Sequence, residues 1–445
     1  MALAKSFSGG AHVPEMKHLS EKSPIAAGLR PKQVVIPLSQ HTGAPCDPLV
    51  KVGDKVRFGQ KIGDSQAYVS APVHASVSGK VTAVAPRLHP VQGRDVLSVV
   101  IESDPEDELD PSCTPKGGLD SLSPDDIRKI VREAGLVGMG GAGFPLAVKL
   151  SPPKDARIDY YMLNGSECEP YLTADHRLMV EQAEAIVFGF AALMKSVAVK
   201  EGIICIEDNK PDAISAMEKA AGAYAGMKLA VLKTKYPQGA EKQIIKAVTG
   251  REVPSGGLPF NVGCLVSNAG TAAALATAVR TGIPLVERVV TVTGAVKEPG
   301  NLRVRIGTSF QDAIDQCGGL LPEACKVVMG GPMMGIAQHT TAVPVIKGTS
   351  GILALDAKTT PTEDQSYPCI RCGRCADSCP MGLQPFALKA YTEAGWWPFT
   401  ERYYALDCIE CGACSYRCPA KIELVQWIRL AKAEIQARRR RGASK

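Results

Sequence analysis

Two cysteine runs in the last third of the chain share one spacing that suits iron–sulfur chemistry. Each reads C-x-x-C-x-x-C-x-x-x-C-P, and the runs begin at Cys369 and Cys408, 39 residues apart. Three thiolates at that spacing wrap one loop around a four-iron cluster, whereas the fourth faces the partner cluster. We therefore predict two [4Fe-4S] clusters with crossed ligation. The predicted ligands are Cys369, Cys372, Cys375 and Cys418 for one cluster, and Cys408, Cys411, Cys414 and Cys379 for the other.

Zinc sites and disulfide bonds are the alternatives for so many cysteines. Zinc also takes four thiolates, but it explains neither the proline after each fourth cysteine nor the crossed spacing. The other seven of the 15 cysteines are scattered along the chain. Low-potential clusters and dispersed free thiols both indicate a reducing compartment, so we predict a cytoplasmic location.

A glycine-rich loop is the second candidate for chemistry. The stretch Gly138-Met-Gly-Gly-Ala-Gly143 has four glycines in six residues, so its backbone N–H groups can approach an anion. Pro145 can begin a helix whose N-terminus adds positive potential, and Lys149 adds a formal charge. Taken alone, such a loop is equally compatible with a tight turn.

Composition indicates a soluble protein of several domains. The 445 residues are 45% hydrophobic and 22% charged, and one hydrophobic core rarely serves a chain of this length. The formal net charge is +6, which the two clusters would reduce to about +2, so charge says little about partners. We predict no nucleic-acid partner. The N-terminus lacks a signal-peptide core, and no apolar run approaches the ~18 residues of a membrane span. We therefore expect any membrane association to be peripheral.

Residues 1–105 are predicted to form a small β-rich domain. Apolar residues alternate in the stretches 50–63 and 70–81, and glycine-containing turns separate the strands. This domain resembles the biotinyl and lipoyl carriers, which fold as a barrel-sandwich hybrid. The carriers have a lysine on the hairpin where this chain has Asp64-Ser-Gln-Ala67, so we expect a structural or docking module. Residues 106–122 are acidic and proline-rich, which predicts a linker.

Residues 123–285 alternate helices with strands and are predicted to form an α/β domain. Ser123 can cap the first helix. A strand at 160–163 ends at the polar turn 164–170, and such turns carry ligand-binding groups in α/β sheets. Asn268 can bond a ligand ring or cap the helix that follows it. Further helices are expected at 178–195, 211–224 and 271–280.

The rest of the chain is predicted to hold two modules. Residues 286–356 have the strand–turn–strand–helix pattern of a β-grasp (SLBB) module. The stretch 361–365 is a predicted linker to a cluster domain at 362–432, where the aromatic stretch 396–399 is expected in the core or as shielding for a cluster. A basic helix at 425–438 leads into a basic tail at 433–445, whose arginines at 438–441 can add affinity for an anionic membrane.

These motifs, in this order, resemble those of the C subunits of the Rnf (Rsx) electron transport complexes over essentially the whole chain. The middle region is also similar to the flavin-bearing, NADH-oxidising subunit of respiratory complex I. The resemblance implies a multidomain α/β and α+β fold. Its expected parts are the barrel-sandwich hybrid, a Rossmann-like α/β domain for FMN and NADH, the β-grasp module and a helical, ferredoxin-like domain for two [4Fe-4S] clusters.

The resemblance also implies roles for individual residues. Non-covalent FMN is expected over the glycine loop, and NAD(H) beside the flavin. No catalytic side chain is implied, because the flavin itself exchanges hydride. The flavin set is Gly138, Gly140, Gly141, Gly143, Lys149, Asn164, Glu167, Tyr236, Gly239, Asn268 and Thr271. The NAD(H) set is Phe144, Glu169 and Glu241.

Several positions depart from the complex I pattern. The relatives read G-R-G-G-A-G-F-P-T-G-x-K in the loop, then N-A-D-E-x-E-P, Y-x-x-G-E-E and N-N-V-E-T. Most residues of the complex I FMN site are present in this chain, whereas fewer of the residues that contact NAD(H) are present. The departures are Met139, Ala147, Pro152, Ser166, Ala240 and Ser267.

The leading hypothesis is a peripheral subunit of an Rnf-type ferredoxin:NAD⁺ oxidoreductase on the cytoplasmic side of the bacterial inner membrane. Hydride transfer moves two electrons and a cluster accepts one, so a flavin is the natural converter between them. The expected partners are membrane-embedded and ferredoxin-like Rnf subunits whose electron flow drives Na⁺ or H⁺ transport. The alternatives are a diaphorase subunit of a soluble hydrogenase or formate dehydrogenase, and a non-catalytic electron wire with a decayed NADH site.

Overall fold

The computed structural model describes residues 4–153, 155–360 and 366–443, apart from the side chains of 442–443. The predicted linker at 361–365 lies outside the described residues. Among the helices of the described part, none is both long and apolar enough to cross a membrane.

The N-terminal domain is a two-sheet barrel sandwich, as predicted. One sheet has the strand order β2-β8-β7-β4 and the other β3-β5-β6. Alternate residues such as Val34, Ile36 and Ile62 point into a shared core, which explains the period of two in the sequence. The strands are β1 Ile25–Ala27, β2 Gln33–Pro37, β3 Asp47–Pro48, β4 Lys55–Val56, β5 Lys61–Asp64, β6 Val73–His74, β7 Gly79–Leu88 and β8 Asp95–Ser103.

The hairpin that would carry a carrier's lysine is fixed against the next domain. Arg132 donates to the Asp64 carboxylate at 2.7 Å and to the Ser65 carbonyl at 3.0 Å. Lys61 also pairs with Asp64, at 3.1 Å. A hairpin held by these bonds cannot swing between sites, so the geometry agrees with a docking module.

The α/β domain is built on a four-stranded parallel sheet with the order β11-β10-β9-β12. Along the chain, β10 and β11 are added on one side of β9, and β12 is then added on its other side. The strand order therefore reverses between β9 and β12. Ligands bind at the carboxyl ends of strands at such a reversal. The strands are β9 Tyr160–Gly165, β10 Glu201–Glu207, β11 Met227–Leu232 and β12 Cys264–Asn268.

The helices of this domain follow the sequence signals with one difference. Ser123 forms a capping box with Asp126 at the start of the first helix. The helix predicted at 178–195 is two helices, since the chain turns at Gln182. The helices are α1 Pro124–Glu133, α2 Leu146–Lys149, α3 Ala174–Glu181, α4 Ala183–Ser196, α5 Pro211–Ala221, α6 Glu241–Thr249 and α7 Ala269–Thr281.

The β-grasp module contains a six-stranded mixed sheet, with the order β1-β14-β13-β17-β15-β16. Its edge strand β1 comes from the N-terminal domain and pairs parallel with β14. The two domains are therefore joined through one sheet. The elements are β13 Glu287–Gly294, β14 Gly300–Arg305, α8 Phe310–Gln316, β15 Ala324–Met329, β16 Ile336–Gln338 and β17 Gly351–Asp356.

The cluster domain is helical, and two expectations about it were wrong. Trp396 and Phe399 are 57% and 43% exposed and stack around Tyr391, so they form surface rather than core. The helix predicted at 425–438 continues to Ala443, so the arginines at 439–441 belong to this helix and not to a tail; Arg438 bonds Glu434 one turn earlier. The helices are α9 Arg374–Asp377, α10 Pro385–Glu393, α11 Trp397–Arg402, α12 Ala413–Arg417 and α13 Leu424–Ala443.

A glycine in α4 sets how closely two core helices approach. A Cβ atom on Gly189 would lie 1.9 Å from the Ala272 carbonyl oxygen of α7. We expect Gly189→Ala to lower the free energy of unfolding by about 1–3 kcal/mol, because this overlap outweighs the better helix propensity of alanine. Urea unfolding followed by circular dichroism measures the change. The matched control is Gly222→Ala at the exposed end of α5, where the nearest atom would be 3.4 Å away; equal stability of the two variants would contradict the packing argument.

Candidate functional site

The glycine loop lies at the strand reversal, against the start of α7. Its Met139 N–H donates to the Thr271 hydroxyl at 3.0 Å, and its Gly138 N–H donates to the Phe144 carbonyl at 2.9 Å. A Cβ atom on Gly140 would lie 2.9 Å from Asn268 Nδ2, whereas one on Gly141 would meet nothing within 4 Å. The loop is thus held against Asn268 and Thr271 on one side, whereas Gly141 faces open space on the other.

Asn268, the last residue of β12, and Asn164, the next-to-last residue of β9, are in register and line the floor below this loop. Asn268 Oδ1 accepts from the N–H groups of Gly270 and Thr271, so the predicted capping role is confirmed. Asn164 Nδ2 donates to the Gly239 carbonyl at 2.8 Å. Both amides are therefore held in fixed orientations at the carboxyl edge of the sheet.

Lys149 closes one side of this region. Its ammonium donates to the Val266 carbonyl at 2.8 Å and lies 3.4 Å from the Glu241 carboxylate. The helix expected after Pro145 is only a single turn, so its dipole is small and Lys149 is the main positive group here. Phe144 is partly buried in the same segment.

Asp175 belongs to this region, although nothing in the sequence analysis indicated it. Its carboxylate accepts a hydrogen bond of 2.6 Å from Asn268 Nδ2. Burial, and then the charge of Glu167, raise the pKa of Asp175. The Glu167 carboxylate caps α3 by accepting from the Asp175 and His176 N–H groups at 2.8 and 3.0 Å. Two carboxylates therefore lie under the asparagine that faces the glycine loop.

The turn 164–170 is held by the N-terminal arm, the segment 4–24 that precedes β1. The buried Lys17 ammonium donates to the carbonyl oxygens of Glu167, Glu169 and Leu172 at 2.8, 3.0 and 2.6 Å. Burial lowers the pKa of Lys17. The sequence carried no signal for this role, because the arm has no regular pattern and the contact joins residues 150 positions apart.

Glu169 is covered by the β-grasp module. Its carboxylate accepts from the Met333 and Met334 N–H groups at 3.2 and 2.8 Å. A Cβ atom on Gly331 would lie 2.3 Å from Glu169 Oε2, so only glycine lets this loop close over the carboxylate. Burial raises the pKa of Glu169 to about 7.

The eight cysteines of the two runs line two cavities. The outer cavity is lined by Cys369, Cys372, Cys375 and Cys418, with apolar residues such as Phe386 and Ile422. The inner cavity is lined by Cys379, Cys408, Cys411 and Cys414, with Met381 and Ile409. Each cavity thus takes three cysteines from one run and the fourth from the other, which is the crossed grouping predicted from the spacing.

Both runs adopt the same backbone path. Arg371 and Glu410, each two residues after the first cysteine, have φ of 56° and 58°, and Gly373 and Gly412 have φ of 76° and 78°. Backbone N–H groups also point at sulfur; the Glu410 N–H donates to Cys408 Sγ at 3.4 Å. Four thiols around an apolar cavity, with N–H donors directed at sulfur, fit a [4Fe-4S] cluster. Among the described residues, no three His, Cys, Asp or Glu side chains meet closely enough to hold a single ion.

The inner cavity lies against the α/β domain. Tyr236, which is 2% exposed, donates its hydroxyl proton to the Cys411 carbonyl at 2.7 Å. Tyr236 and Cys411 pack in one apolar cluster with Ala413, Cys168 and Met333. Tyr236 was expected beside the flavin, and the structure places it between the turn 164–170 and the inner cysteines.

Comparison with known protein families assigns the four parts of the chain. Sequence models match residues 5–106 as an RnfC barrel sandwich hybrid domain and 131–277 as a Nuo51 FMN-binding domain. Residues 289–337 match an SLBB domain and 368–422 a 4Fe-4S dicluster domain. The predicted fold class and the predicted FMN and [4Fe-4S] cofactors are thereby confirmed.

Curated relatives match over nearly the full length of the chain. The C subunit of the Na⁺-translocating ferredoxin:NAD⁺ oxidoreductase complex of Acetobacterium woodii is 53% identical, covering 98% of both chains. The C subunit of the proton-translocating ferredoxin:NAD⁺ oxidoreductase complex of Clostridium ljungdahlii is 49% identical, over 100% of this chain and 97% of the relative. The C subunit of the ion-translocating oxidoreductase complex of Rhodobacter capsulatus is 44% identical, over 98% and 84%.

Solved structures share the fold at lower identity. An NAD⁺-reducing [NiFe]-hydrogenase in the H₂-reduced state has a TM-score of 0.51 and 20% identity, covering 74% of this chain and 69% of that one. The same type of enzyme in the air-oxidised state has a TM-score of 0.50 and 21% identity, over 62% and 56%. Together with the full-length relatives, these findings show that the chain belongs to the family formed by the C subunits of Rnf-type ion-translocating oxidoreductase complexes.

Proposed function

We propose that the chain is the NAD(H)-handling subunit of an Rnf-type ferredoxin:NAD⁺ oxidoreductase. It exchanges hydride between NAD(H) and bound FMN and passes single electrons through two [4Fe-4S] clusters. The observation that carries this proposal is the order of the sites. The glycine loop lies at the strand reversal, and the inner cysteine Cys411 packs with Tyr236 of the same domain, whereas no outer cysteine belongs to that apolar cluster.

The flavin site we propose is the open side of the glycine loop. Gly138, Gly140, Gly141 and Gly143 leave room for a phosphate and a ring, and the Lys149 ammonium offsets negative charge. The fixed amides of Asn164 and Asn268 can bond ring or ribityl atoms, with Asp175 holding Asn268 in place. The remaining members of the set are Glu167, Gly239 and Thr271, which shape the floor.

The nicotinamide nucleotide site is proposed beside this loop, at Phe144, Glu169 and Glu241. Phe144 can stack on a ring, and Glu241 is 39% exposed and therefore accessible to a ribose hydroxyl. The Glu169 carboxylate is already bonded to the loop at 331–335. We therefore assign Glu169 to holding this loop over the site rather than to a direct nucleotide contact.

Two cluster sites in series follow from the cysteine grouping. We propose that the inner cluster, on Cys379, Cys408, Cys411 and Cys414, exchanges electrons with the flavin across Tyr236 and Cys168. The outer cluster, on Cys369, Cys372, Cys375 and Cys418, then exchanges electrons with another protein. The Tyr236 hydrogen bond fixes the inner cysteine loop on the flavin domain, so the separation of the two sites stays constant.

The partners are proposed from the relatives, which are subunits of translocating complexes. We place the chain on the cytoplasmic side of the membrane, held there by membrane-embedded and ferredoxin-like subunits of the same complex. Transport of Na⁺ or H⁺ is assigned to those membrane-embedded partners.

A non-catalytic electron wire is the second candidate function. It is favoured by one observation, the engagement of Glu169 by the β-grasp loop, which leaves fewer groups for NAD(H). A diaphorase subunit of a soluble hydrogenase is not favoured, because the hydrogenase likeness is confined to the fold whereas the full-length relatives belong to Rnf complexes.

The direct test is anaerobic mixing of the FMN- and iron-loaded protein with NADH. We expect flavin absorbance to bleach, followed by reduction of the clusters. A flavin that stays oxidised, in a protein that retains about eight iron atoms, would exclude hydride exchange and leave the wire.

Gly140→Val is expected to remove flavin and leave both clusters. A Cβ atom on Gly140 would lie 2.9 Å from Asn268 Nδ2, so the valine side chain would displace the amide that we propose bonds the flavin. Flavin fluorescence after denaturation and iron analysis measure the two contents. The control is Gly118→Val in the linker, where a Cβ atom meets nothing within 4 Å. Loss of both flavin and iron from Gly140→Val alone would mean that the loop is structural.

Cys372→Ala is expected to remove only the outer cluster, which halves the iron content and leaves flavin unchanged. Cys372 lines the outer cavity and is exposed, so its loss does not disturb the interface with the α/β domain. The matched control is Cys325→Ala, an exposed cysteine outside both cavities. Full iron content in Cys372→Ala would show that the cysteine grouping is wrong.

A further inference from the structure

Asn268 keeps a single hydrogen-bonding group for a ligand. Its Oδ1 accepts from the Gly270 N–H at 2.9 Å and from the Thr271 N–H at 3.4 Å. One of the two Nδ2 hydrogens goes to the Asp175 carboxylate, at 2.6 Å. A side-chain amide has two N–H donors and one oxygen with two lone pairs, so one N–H group is left. A rotated amide would set its nitrogen against N–H groups and its oxygen against a carboxylate, so the orientation is fixed at both ends.

Asn164, the other amide on the floor of the site, is less restricted. Its Oδ1 accepts from the Ser166 N–H at 3.1 Å, and its Nδ2 donates to the Gly239 carbonyl at 2.8 Å. It therefore keeps one N–H group and one lone pair. Of these two amides, Asn268 is the one that is limited to donating.

The Asp175 carboxylate is held beneath Asn268 as an acceptor. Burial, and then the charge of Glu167, raise the pKa of Asp175 to about 6. Its bond with Asn268 and the charges of Arg288 and Lys17 act in the opposite direction on this pKa. The carboxyl group is therefore mostly ionised at neutral pH and cannot donate. Asp175 also lies in the first turn of α3, where the helix dipole favours a negative charge.

The charges around Asn268 favour a flavin ring over a phosphate at this position. The carboxylates of Asp175 and Glu167 lie below Asn268 and would repel a phosphate dianion, whereas an oxidised flavin ring is neutral. Lys149, the main positive group of the region, suits the phosphate better. Asn268 Nδ2 also lies against the glycine loop, 2.9 Å from where a Cβ atom on Gly140 would be. The remaining N–H group of Asn268 therefore fits an acceptor atom of the ring.

We propose that Asp175 is a positioning residue for the flavin, which fixes Asn268 so that its remaining N–H group donates to an acceptor atom of the flavin ring. The inference rests on the flavin site of the proposed function, and Asp175 acts through Asn268 rather than by touching the flavin. A hydrogen bond to a negatively charged acceptor is roughly twice as strong as one to a neutral acceptor. Because the ring is richer in electrons when reduced, this donor binds the reduced ring more tightly than the oxidised ring and raises the midpoint potential.

The test compares Asp175→Ala with Asp175→Asn in the full-length, iron-loaded protein. Both variants remove the negative charge, but only alanine removes the acceptor, because the side-chain oxygen of asparagine can still accept from Asn268. The measurements are the Kd of FMN, from fluorescence quenching, and the flavin midpoint potential, from anaerobic spectroelectrochemical titration. We expect the alanine variant to bind FMN about tenfold more weakly than the asparagine variant. Its midpoint potential should also be the lower of the two.

A third substitution shows whether Asp175 acts through Asn268. Asn268→Ser keeps an oxygen that can cap α7 and removes the amide N–H group. In that background, alanine and asparagine at position 175 should give the same Kd of FMN and the same potential, as expected for two residues that act as a unit. A difference that persists there would overturn the proposal, because Asp175 would then act on the flavin directly or through the fold.

The matched control is Asp125, another acidic residue in the first turn of a helix of the same domain, whose side chain is 88% exposed. Asp125→Ala and Asp125→Asn are expected to bind FMN equally and at the potential of the unmodified protein. Equal Kd values and potentials for the two Asp175 variants would overturn the proposal. Weaker FMN binding in Asp175→Ala at the same potential as Asp175→Asn would also overturn it, because the donor would then not face the ring.

Two outcomes separate this proposal from the proposed function. FMN binding without bleaching by NADH would remove hydride exchange, whereas the comparison of the Asp175 variants would stand, because the electrode sets the potential without NADH. Failure of the unmodified protein to bind FMN would overturn both. Iron content and circular dichroism of each variant must match those of the unmodified protein, which shows that the fold is intact.

Discussion

The hydrogen bond from Tyr236 to the Cys411 carbonyl is the contact on which the rest of the arrangement depends. It joins the domain that contains the glycine loop to the loop that lines the inner cysteine cavity. Tyr236 is nearly fully buried in an apolar cluster that also holds Cys168 and Met333, so water is excluded from the junction. A buried hydroxyl left without an acceptor is costly, which keeps this pairing in place. Because one-electron transfer requires a short and constant separation, this contact supports our proposal that the inner cluster exchanges electrons with the flavin.

The N-terminal arm, the β-grasp loop and the barrel domain also stabilise the surroundings of this junction. Lys17 of the N-terminal arm holds the carbonyl groups of the turn 164–170, and the β-grasp loop closes over Glu169. Gly10 of the arm also donates its N–H to the Ser378 carbonyl beside the inner cysteine Cys379. The barrel domain adds its edge strand β1 to the β-grasp sheet. Modules that look independent in the sequence therefore together hold the turn 164–170 and the inner cysteine cavity in place.

Local signals in the sequence predicted more than long-range ones did. Cysteine spacing predicted the two groups that line the cavities, because three cysteines of each group are close in sequence and the doubled motif indicates the fourth, which comes from the other run. Ser123 and Asn268 were predicted as helix caps for the same reason. Lys17, Asp175 and the contact of Glu169 with Met334 could not be predicted, because each depends on how separate domains or strands meet. The aromatic stretch at 396–399 was misjudged because hydrophobicity alone does not distinguish a core residue from one on an exposed face.

The order flavin, inner cluster, outer cluster is the central claim, and two ligand variants test it directly. Cys372→Ser removes a ligand of the outer site and Cys411→Ser a ligand of the inner site. The measurement is rapid-freeze EPR of each loaded variant after anaerobic mixing with NADH. The arrangement predicts that the remaining cluster is reduced as fast as in the unmodified protein when Cys372 is replaced, and is not reduced on that timescale when Cys411 is replaced. Equal reduction of the remaining cluster in both variants, or the reverse pattern, would contradict it.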